Sequence, residues 1–479
     1  MNYMKSKTDN IWDVIVIGGG SAGMMAAGRA AECGARVALI EKNDTLGKKL
    51  LITGGGRCNL TNAEFNTRKF LEKFKDDGKF LFSAFSQWSV QDTLNFFNTR
   101  GMATKIENEQ RVFPASDSAR SVWDVLVKYM REGGVTVISD SPVSDIIVSR
   151  ASMPKATRER RERSSHRMMA TRERRERSHD SAKASLDCVL CANRKALGQN
   201  GSSRRMTATG VILRDGKEIH ANAIIVAAGG GSHPETGSAG DGFAWLKKLG
   251  HNIAIPTPSL VPVAIKDSWA KQLSGVSIAD VKINAIQNEI VHNTNRGKIL
   301  FTHFGISGPA VLHMSKAIGE LLKSGEVVMS LDILPSLNNE QLDIALKDLF
   351  KKHSNKKIRN SLDSIIPSAL APIIIAKCKI NPETVVNSIT REERMKLIAC
   401  LKNLPMRADK LLGADKAVIT SGGVSLEEID PKTMRSRLFP NLYIIGDMLN
   451  IDRPSGGYSL QLCWTTGFVA GTAASKNIL

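Results

Sequence analysis

Asp13-Val14-Ile15-Val16-Ile17-Gly18-Gly19-Gly20-Ser21-Ala22-Gly23 is the stretch whose reading decides the fold. The apolar run 14–17 fits a strand buried on both faces, and the glycines at 18, 20 and 23 fit G-x-G-x-x-G. An Ala-rich segment follows to Cys33-Gly34, then a second apolar run, Arg36-Val37-Ala38-Leu39-Ile40, closing on Glu41-Lys42. Strand, glycine turn, helix, strand and acid within about 30 residues make a βαβ dinucleotide unit. Gly18 permits the tight turn, Gly20 lets backbone approach a pyrophosphate, and Gly23 lets helix and strand pack closely. The free N–H groups at the helix start would face the phosphates. Glu41 lies 23 positions after Gly18, where an acid binds a ribose 2′-OH and repels a 2′-phosphate. That argues against NADP at this site and leaves NAD or FAD.

The chain has 479 residues, a length that predicts about three domains. Hydrophobic residues make up 42%, enough for buried cores, yet no apolar run is long enough to span a membrane. The segment before the first strand is read as too short for a signal peptide. The 7 cysteines are sparse and odd in number, which fits reduced thiols and a cytoplasmic location. The net charge of +19 is unevenly placed: residues 150–206 hold 16 Lys/Arg and 6 Asp/Glu, a net of +10. Within that segment Ala-Thr-Arg-Glu-Arg-Arg-Glu-Arg-Ser occurs at 156–164 and again at 170–178. With no apolar stripe to bury and no aromatic for base stacking, it reads as an insert on a surface hairpin. A polybasic arm for RNA is the alternative. Cys188-x-x-Cys191 lies in the same segment without a second ligand pair, so no metal site is expected.

Further along, Thr53-Gly54-Gly55-Gly56-Arg57-Cys58-Asn59 reads as a loop held close to something flat or anionic, since a plain turn does not need three glycines. The run 223–228 ends in Gly229-Gly230-Gly231, a second close approach of backbone to ligand at the end of a buried strand. From Pro256 short alternating strands suggest a small barrel or antiparallel sheet, and 339–404 is helical and Lys-rich, with a capping box at Thr390 and Glu393. Late in the chain, Leu442-Tyr443-Ile444-Ile445 delivers Gly446-Asp447, and Ser455-Gly456-Gly457-Tyr458 opens a helix. In flavoproteins of the glutathione-reductase-like class such an acid binds ribityl or ribose hydroxyls, and such a helix start stabilises charge on the reduced flavin. NAD-only Rossmann enzymes need neither, so the cofactor is read as FAD.

Taken together, Gly18–Gly23, Thr53–Asn62, Arg111–Pro114, Ala228–Gly242, Phe301–Pro309, Thr420–Val424 and Gly446–Gly471 resemble the signature set of a bacterial NAD(P)/FAD-dependent oxidoreductase family. That family includes aminoacetone-oxidase-like and bile-acid Δ4-reductase-like flavoproteins. The resemblance covers nearly the whole chain outside 150–206. It implies an α/β fold: a discontinuous FAD-binding Rossmann-like domain, glutathione-reductase-like, with an inserted β-barrel-like plus helical lobe. The expected boundaries are 1–255 for the first part of the FAD domain, 256–336 for the barrel, 337–412 for the helices and 413–479 for the C-terminal part. Cofactor contacts are implied at Gly18, Gly20, Ser21, Ala22 and Gly23; Glu41 and Lys42; Gly54, Gly55, Arg57, Cys58 and Asn59; Val143; Ala228 and Gly229; Gly446 and Asp447; and Gly457 and Tyr458. The chain departs from the family pattern at Asp447, where Glu is more usual, and at Asp452-Arg453-Pro454-Ser455, where Arg453 is expected to change the electrostatics near the flavin.

Flavins transfer hydride by positioning and need no protein nucleophile. Tyr458, Cys58 and Arg111 are the candidates for proton donor or anchor, with His303 behind them. The expected activity is hydride transfer between flavin and a small organic substrate, with NAD(P)H as a transient electron donor. An O₂-using amine oxidase is a second reading, and a nucleic-acid-associated flavoprotein using the basic insert a third. A monomer or homodimer acting on a small molecule, with no metal and no nucleic acid, is the expected assembly.

Overall fold

The computed structural model describes residues 11–150, 206–413 and 419–476. The repeat of the basic insert and Cys188-x-x-Cys191 lie outside them.

The decisive stretch forms the strand Ile11–Ile17 and the helix Ser21–Glu32. Val14, Ile15 and Val16 are fully buried because the strand is central and covered on both faces. It pairs in parallel with Val37–Ile40 on one side and with Glu218–Val226 on the other. Thr136–Ile138 extends the sheet beyond Val37–Ile40, again in parallel. Across the far edge of Glu218–Val226, the first residues pair antiparallel with Met206–Leu213, and the last pair in parallel with Leu442–Ile444. The C-terminal piece therefore returns to the N-terminal sheet, as the discontinuous-domain reading requires. Val143–Arg150 pairs antiparallel with Met206–Leu213, Arg150 lying opposite Met206. The insert thus joins two strand ends that already sit side by side, so its length changes nothing in the sheet's register.

Two close approaches set the geometry of the glycine turn and of the last helix. A Cβ at Gly23 would lie 1.9 Å from the Gly18 carbonyl oxygen, so only glycine lets the helix start this near the strand end. The helix Tyr458–Lys476 lies against Ser21–Glu32, and a Cβ at Gly467 or Gly471 would fall 2.6 Å from the carbonyl oxygens of Ala22 or Ala26. Side-chain ties fix its start: Thr61 donates to Gln461 at 2.7 Å, and Trp464 donates from Nε1 to the Leu60 carbonyl at 3.0 Å.

The inserted lobe holds a closed six-stranded barrel in the order Val263–Ile265, Gly305–Ser307, Ile290–Thr302, Ser277–Gln287, Val328–Asp332, Leu404–Leu411. The helices Asn339–Lys352, Ala371–Lys377 and Arg391–Lys402 lie between its last two strands and share its hydrophobic core. The segment 337–412, expected to be helical, thus ends in a barrel strand: Leu404, Met406 and Ala408 alternate inward at the period of two that a strand requires. The domain and lobe are joined by the antiparallel pair Ile253–Ser259 and Ile419–Val424.

Candidate functional site

A cavity of about 830 Å³ opens between the parallel sheet's carboxyl end and the barrel lobe. That is within the range of cofactor and ligand sites, and the position is where open α/β sheets bind ligands. Gly18, Gly20, Ser21 and Ala22 line it, as do Glu41, Lys42, Gly54, Asn59, Val143, Ala228, Gly229, Asp447, Gly457 and Tyr458.

Glu41 is 7% exposed; Oε2 accepts from the Gly19 amide at 2.7 Å, and Oε1 from Asn43 N at 2.9 Å and Nδ2 at 2.7 Å. The acid is thereby fixed at the rim of the glycine turn. Lys42 pairs with Asp241 at 2.6 Å. Nothing lies within 4 Å of a Cβ built at Gly20, so space stands open where a pyrophosphate would meet the helix start. At the other end, Asn59, oriented to satisfy its amide, accepts from Gly457 N at 3.0 Å and donates to Thr61 and Val112 carbonyls. The amides of Tyr458, Ser459 and Leu460 begin a 19-residue helix on the cavity wall and have no partner within it. A cradle left open at Gly20, orphan amides at a long helix start, and a carboxylate between them fit FAD.

That carboxylate, Asp447, is set in a charged network. Its Oδ1 accepts from Arg453 at 2.5 Å and its Oδ2 from Lys49 at 3.1 Å, while Lys49 also donates to Ser232 at 2.7 Å. Burial alone would raise the carboxyl, but the Arg453 and Lys49 cations outweigh it and hold its pKa at about 2. The Arg453 side chain has no exposed surface, and its Nε lacks a partner among the described residues. Arg453 is therefore turned onto Asp447, whose carboxylate lines the cavity while Arg453 itself does not.

Several sequence candidates stand elsewhere. Gly23 and Gly446 pack behind the cavity wall, while Gly55 is exposed and lies outside the lining. Arg57 stacks on Phe113 at 4.1 Å and pairs with Asp117 and Glu107, away from the cavity. Cys58 is fully buried, and burial pushes its thiol up to about 12. It takes no part in the cavity wall and is a packing residue, not a nucleophile. His303 is exposed and also lies outside the cavity lining.

The outer half of the cavity is shared between the two lobes. From the FAD domain come Asn62, Glu64, Lys73, Glu109, Gln110, Arg111 and Tyr458; from the barrel come Arg296, Gly297, Lys298, Pro309 and His313. The Tyr458 ring packs against Phe70 and Phe74, at 4.7 and 5.9 Å between centroids. Its hydroxyl has no partner among the described residues, and burial, with the nearby Glu64 charge, keeps it protonated. Arg111 donates to the Asn108 carbonyl at 3.1 Å and pairs with Glu109 at 3.5 Å. His313 Nε2 accepts from Ser455 N at 3.2 Å, with Ser455 Oγ at 2.9 Å. Burial lowers its pKa, so the ring is neutral at pH 7 and carries its proton on Nδ1. Sequence reasoning missed His313, Lys49 and Ser232; proximity of His313 to the Ser307-Gly308-Pro309 helix start was the available signal.

Two models of one family match the chain: the HI0933-like protein Rossmann domain over residues 12–172, and the HI0933-like protein barrel and H2TH domain over residues 257–419. A 3-dehydro-bile acid delta(4,6)-reductase of Clostridium scindens is 27% identical over 465 residues, covering 96% of this chain and 98% of that one. A ribosomal RNA dihydrouridine synthase of Escherichia coli is 26% identical over 460 residues, covering 95% and 96%. Among solved structures, a 3-ketosteroid delta1-dehydrogenase from Sterolibacterium denitrificans aligns with a TM-score of 0.51 and 12% identity, covering 98% of this chain and 100% of that one. That last likeness shows the fold. Among the described residues no helix is long and apolar enough to cross a membrane, and no cluster of metal-binding side chains occurs. The chain belongs to the HI0933-like family and is a flavoprotein oxidoreductase built on an FAD-binding Rossmann domain with an inserted barrel lobe.

Proposed function

We propose that this protein reduces a carbon–carbon double bond conjugated to a carbonyl in a small organic substrate, with NAD(P)H as the source of electrons. The names of the two relatives describe that one transformation on different molecules: an unsaturated ketone in one, the uracil ring in the other. Bound FAD supplies the hydride. The chain's own residues supply the rest. Gly18–Ala22 and Glu41 hold the adenosine and pyrophosphate end, Asp447 the ribityl hydroxyls, and the Tyr458 helix start the flavin's electron-rich edge. The observation that carries the reading is Tyr458, whose protonated hydroxyl has no partner among the described residues and which lines the space between that helix start and the barrel. Tyr458 delivers the proton to the carbon beside the carbonyl. His313 Nδ1 and Arg111 are the donors available to hold the carbonyl oxygen, in a space that Pro309 and Leu312 partly shield from water. Reduced enzyme mixed anaerobically with a 3-oxo-Δ4 steroid tests the proposal. Flavin reoxidation with a saturated product supports it, and a flavin that stays reduced overturns it. An amine oxidase would instead reoxidise rapidly in air and release peroxide.

The same reduction on a uracil within RNA is a second reading. It is favoured by Lys351, Lys352 and Lys356, exposed and without ion pairs among the described residues, at the end of the lobe helix Asn339–Lys352. Binding of ribosomal RNA that weakens steeply with salt, and fails when those lysines become Gln, would support it. RNA affinity unchanged by the substitutions would sink it.

A further inference from the structure

The charges of the outer cavity separate into committed and uncommitted groups. Glu64 Oε1 accepts from the Asn66 amide at 2.9 Å, and Glu109 pairs with Arg111 at 3.5 Å. Arg296 is held by Asp280 at 2.7 Å and by Ser336 at 3.0 Å. Lys73 and Lys298, which line the same space, have neither an ion pair nor a side-chain hydrogen bond among the described residues. They come from opposite walls. Lys73 stands in sequence between Phe70 and Phe74, whose rings pack on Tyr458, and is itself exposed at the cavity. Lys298 is on the barrel strand Ile290–Thr302, where its carbonyl would be 2.8 Å from a Cβ at Gly308, next to the Pro309–His313 wall. Two ammonium groups without an ion pair among the described residues raise the local concentration of anions, and they outnumber Glu64, whose carboxylate has no cation partner there.

We propose that Lys73 and Lys298 form an anion subsite, so that the substrate carries a carboxylate or phosphate as well as the reducible double bond. This rests on the reductase reading above and adds the substrate's charge to it. A compact ammonium on a flexible stem suits a single anionic group at the mouth of a cleft, whereas a planar fork would demand one fixed geometry. The anion would be drawn to the rim while the neutral, conjugated part of the molecule passes inward to Tyr458.

The test uses the FAD-loaded full chain and four probes: a 3-oxo-Δ4 bile acid and its methyl ester, and uridine 5′-monophosphate and uridine. Binding is read from the change in flavin absorbance, and turnover separately. The charged member of at least one pair is expected to bind about 10-fold more tightly than its neutral partner, the scale of one charge-assisted hydrogen bond. That preference disappears in Lys73→Gln/Lys298→Gln, with bound FAD reporting that the variant folds. Should the variant lose FAD, the wild type decides alone, since its preference must shrink as salt rises. A preference within the steroid pair identifies a carboxylate source, and within the nucleotide pair a phosphate source. Equal affinity within both pairs, failure of both charged probes to bind, or a preference that survives the double substitution overturns the subsite. Tight binding of an acid that is never reduced leaves the subsite standing and refutes the reductase reading instead.

Discussion

Replacing Asp447 with Asn removes the anion that Arg453 and Lys49 share, and the consequences are set by how deeply those groups lie. The Arg453 side chain has no exposed surface and one donor already without a partner among the described residues, so it cannot turn to water when Asp447 loses its charge. Breaking a buried pair in this way costs about 3–5 kcal/mol, more than the pair itself contributes, because a charge is left stranded. The carboxylate's net share, burial set against both Arg453 and Lys49, follows from its pKa: held at about 2 against an ordinary value of 3.8, it is worth about 2 kcal/mol. A depressed carboxyl contributes stability that is full above its unfolded pKa and fades as pH falls through the folded one. The acid contribution of Asp447 is therefore complete above about pH 4 and lost on descending towards about pH 2. The assay is urea unfolding of the FAD-free protein, comparing wild type, Asp447→Asn, Arg453→Met and the double variant. Removing both charges should recover much of what Asp447→Asn loses, a coupling of about 2 kcal/mol or more. Purely additive losses, or an Asp447→Asn variant within about 0.5 kcal/mol of wild type, would refute the reasoning.

Other outcomes follow from single contacts. Gly20→Val fills the open space at the helix start and should yield colourless protein with near-normal secondary structure, measured by flavin absorbance and circular dichroism. Tyr458→Phe should keep the flavin and its reduction by NAD(P)H, yet slow its reoxidation by an enone about 100-fold or more in stopped flow. Gly471→Val puts a side chain against the Ala26 carbonyl and should cost about 1–3 kcal/mol in unfolding experiments. Cys58→Ala should retain turnover, and iodoacetamide at neutral pH should leave Cys58 unlabelled by peptide mapping, because its thiol is buried and pushed up to about 12.

What could be read from sequence was local. The βαβ unit announces itself because apolar run, glycine spacing and terminal acid all fall within 13–41, and each has a backbone reason to be there. Likewise the return of 442–447 to the sheet follows from a short apolar run ending in Gly446-Asp447. The barrel's register and its closing strand at Leu404–Leu411 were not legible, since pairing partners far apart in sequence carry no local mark. The same holds for the charged network: Lys49 meets Ser232 and Asp447 across 183 and 398 positions. Arg453 shows the limit well. Its position beside the flavin helix was visible, but whether a loop side chain enters the cavity or is buried behind its wall is decided by packing, and here Arg453 is buried against Asp447, which lines the cavity. Cys58 and His303 misled for the same reason, while His313, ten residues after His303, faces inward.

Anaerobic single turnover tests the account most directly. Protein purified with stoichiometric FAD is reduced and mixed with a conjugated enone, the product being recovered from deuterated water. The account predicts that the yellow absorbance returns as the double bond is saturated, with one deuterium beside the carbonyl and with the rate falling sharply in Tyr458→Phe. A flavin that stays bleached with every enone and uracil probe offered, yet reoxidises at once in air, would contradict it.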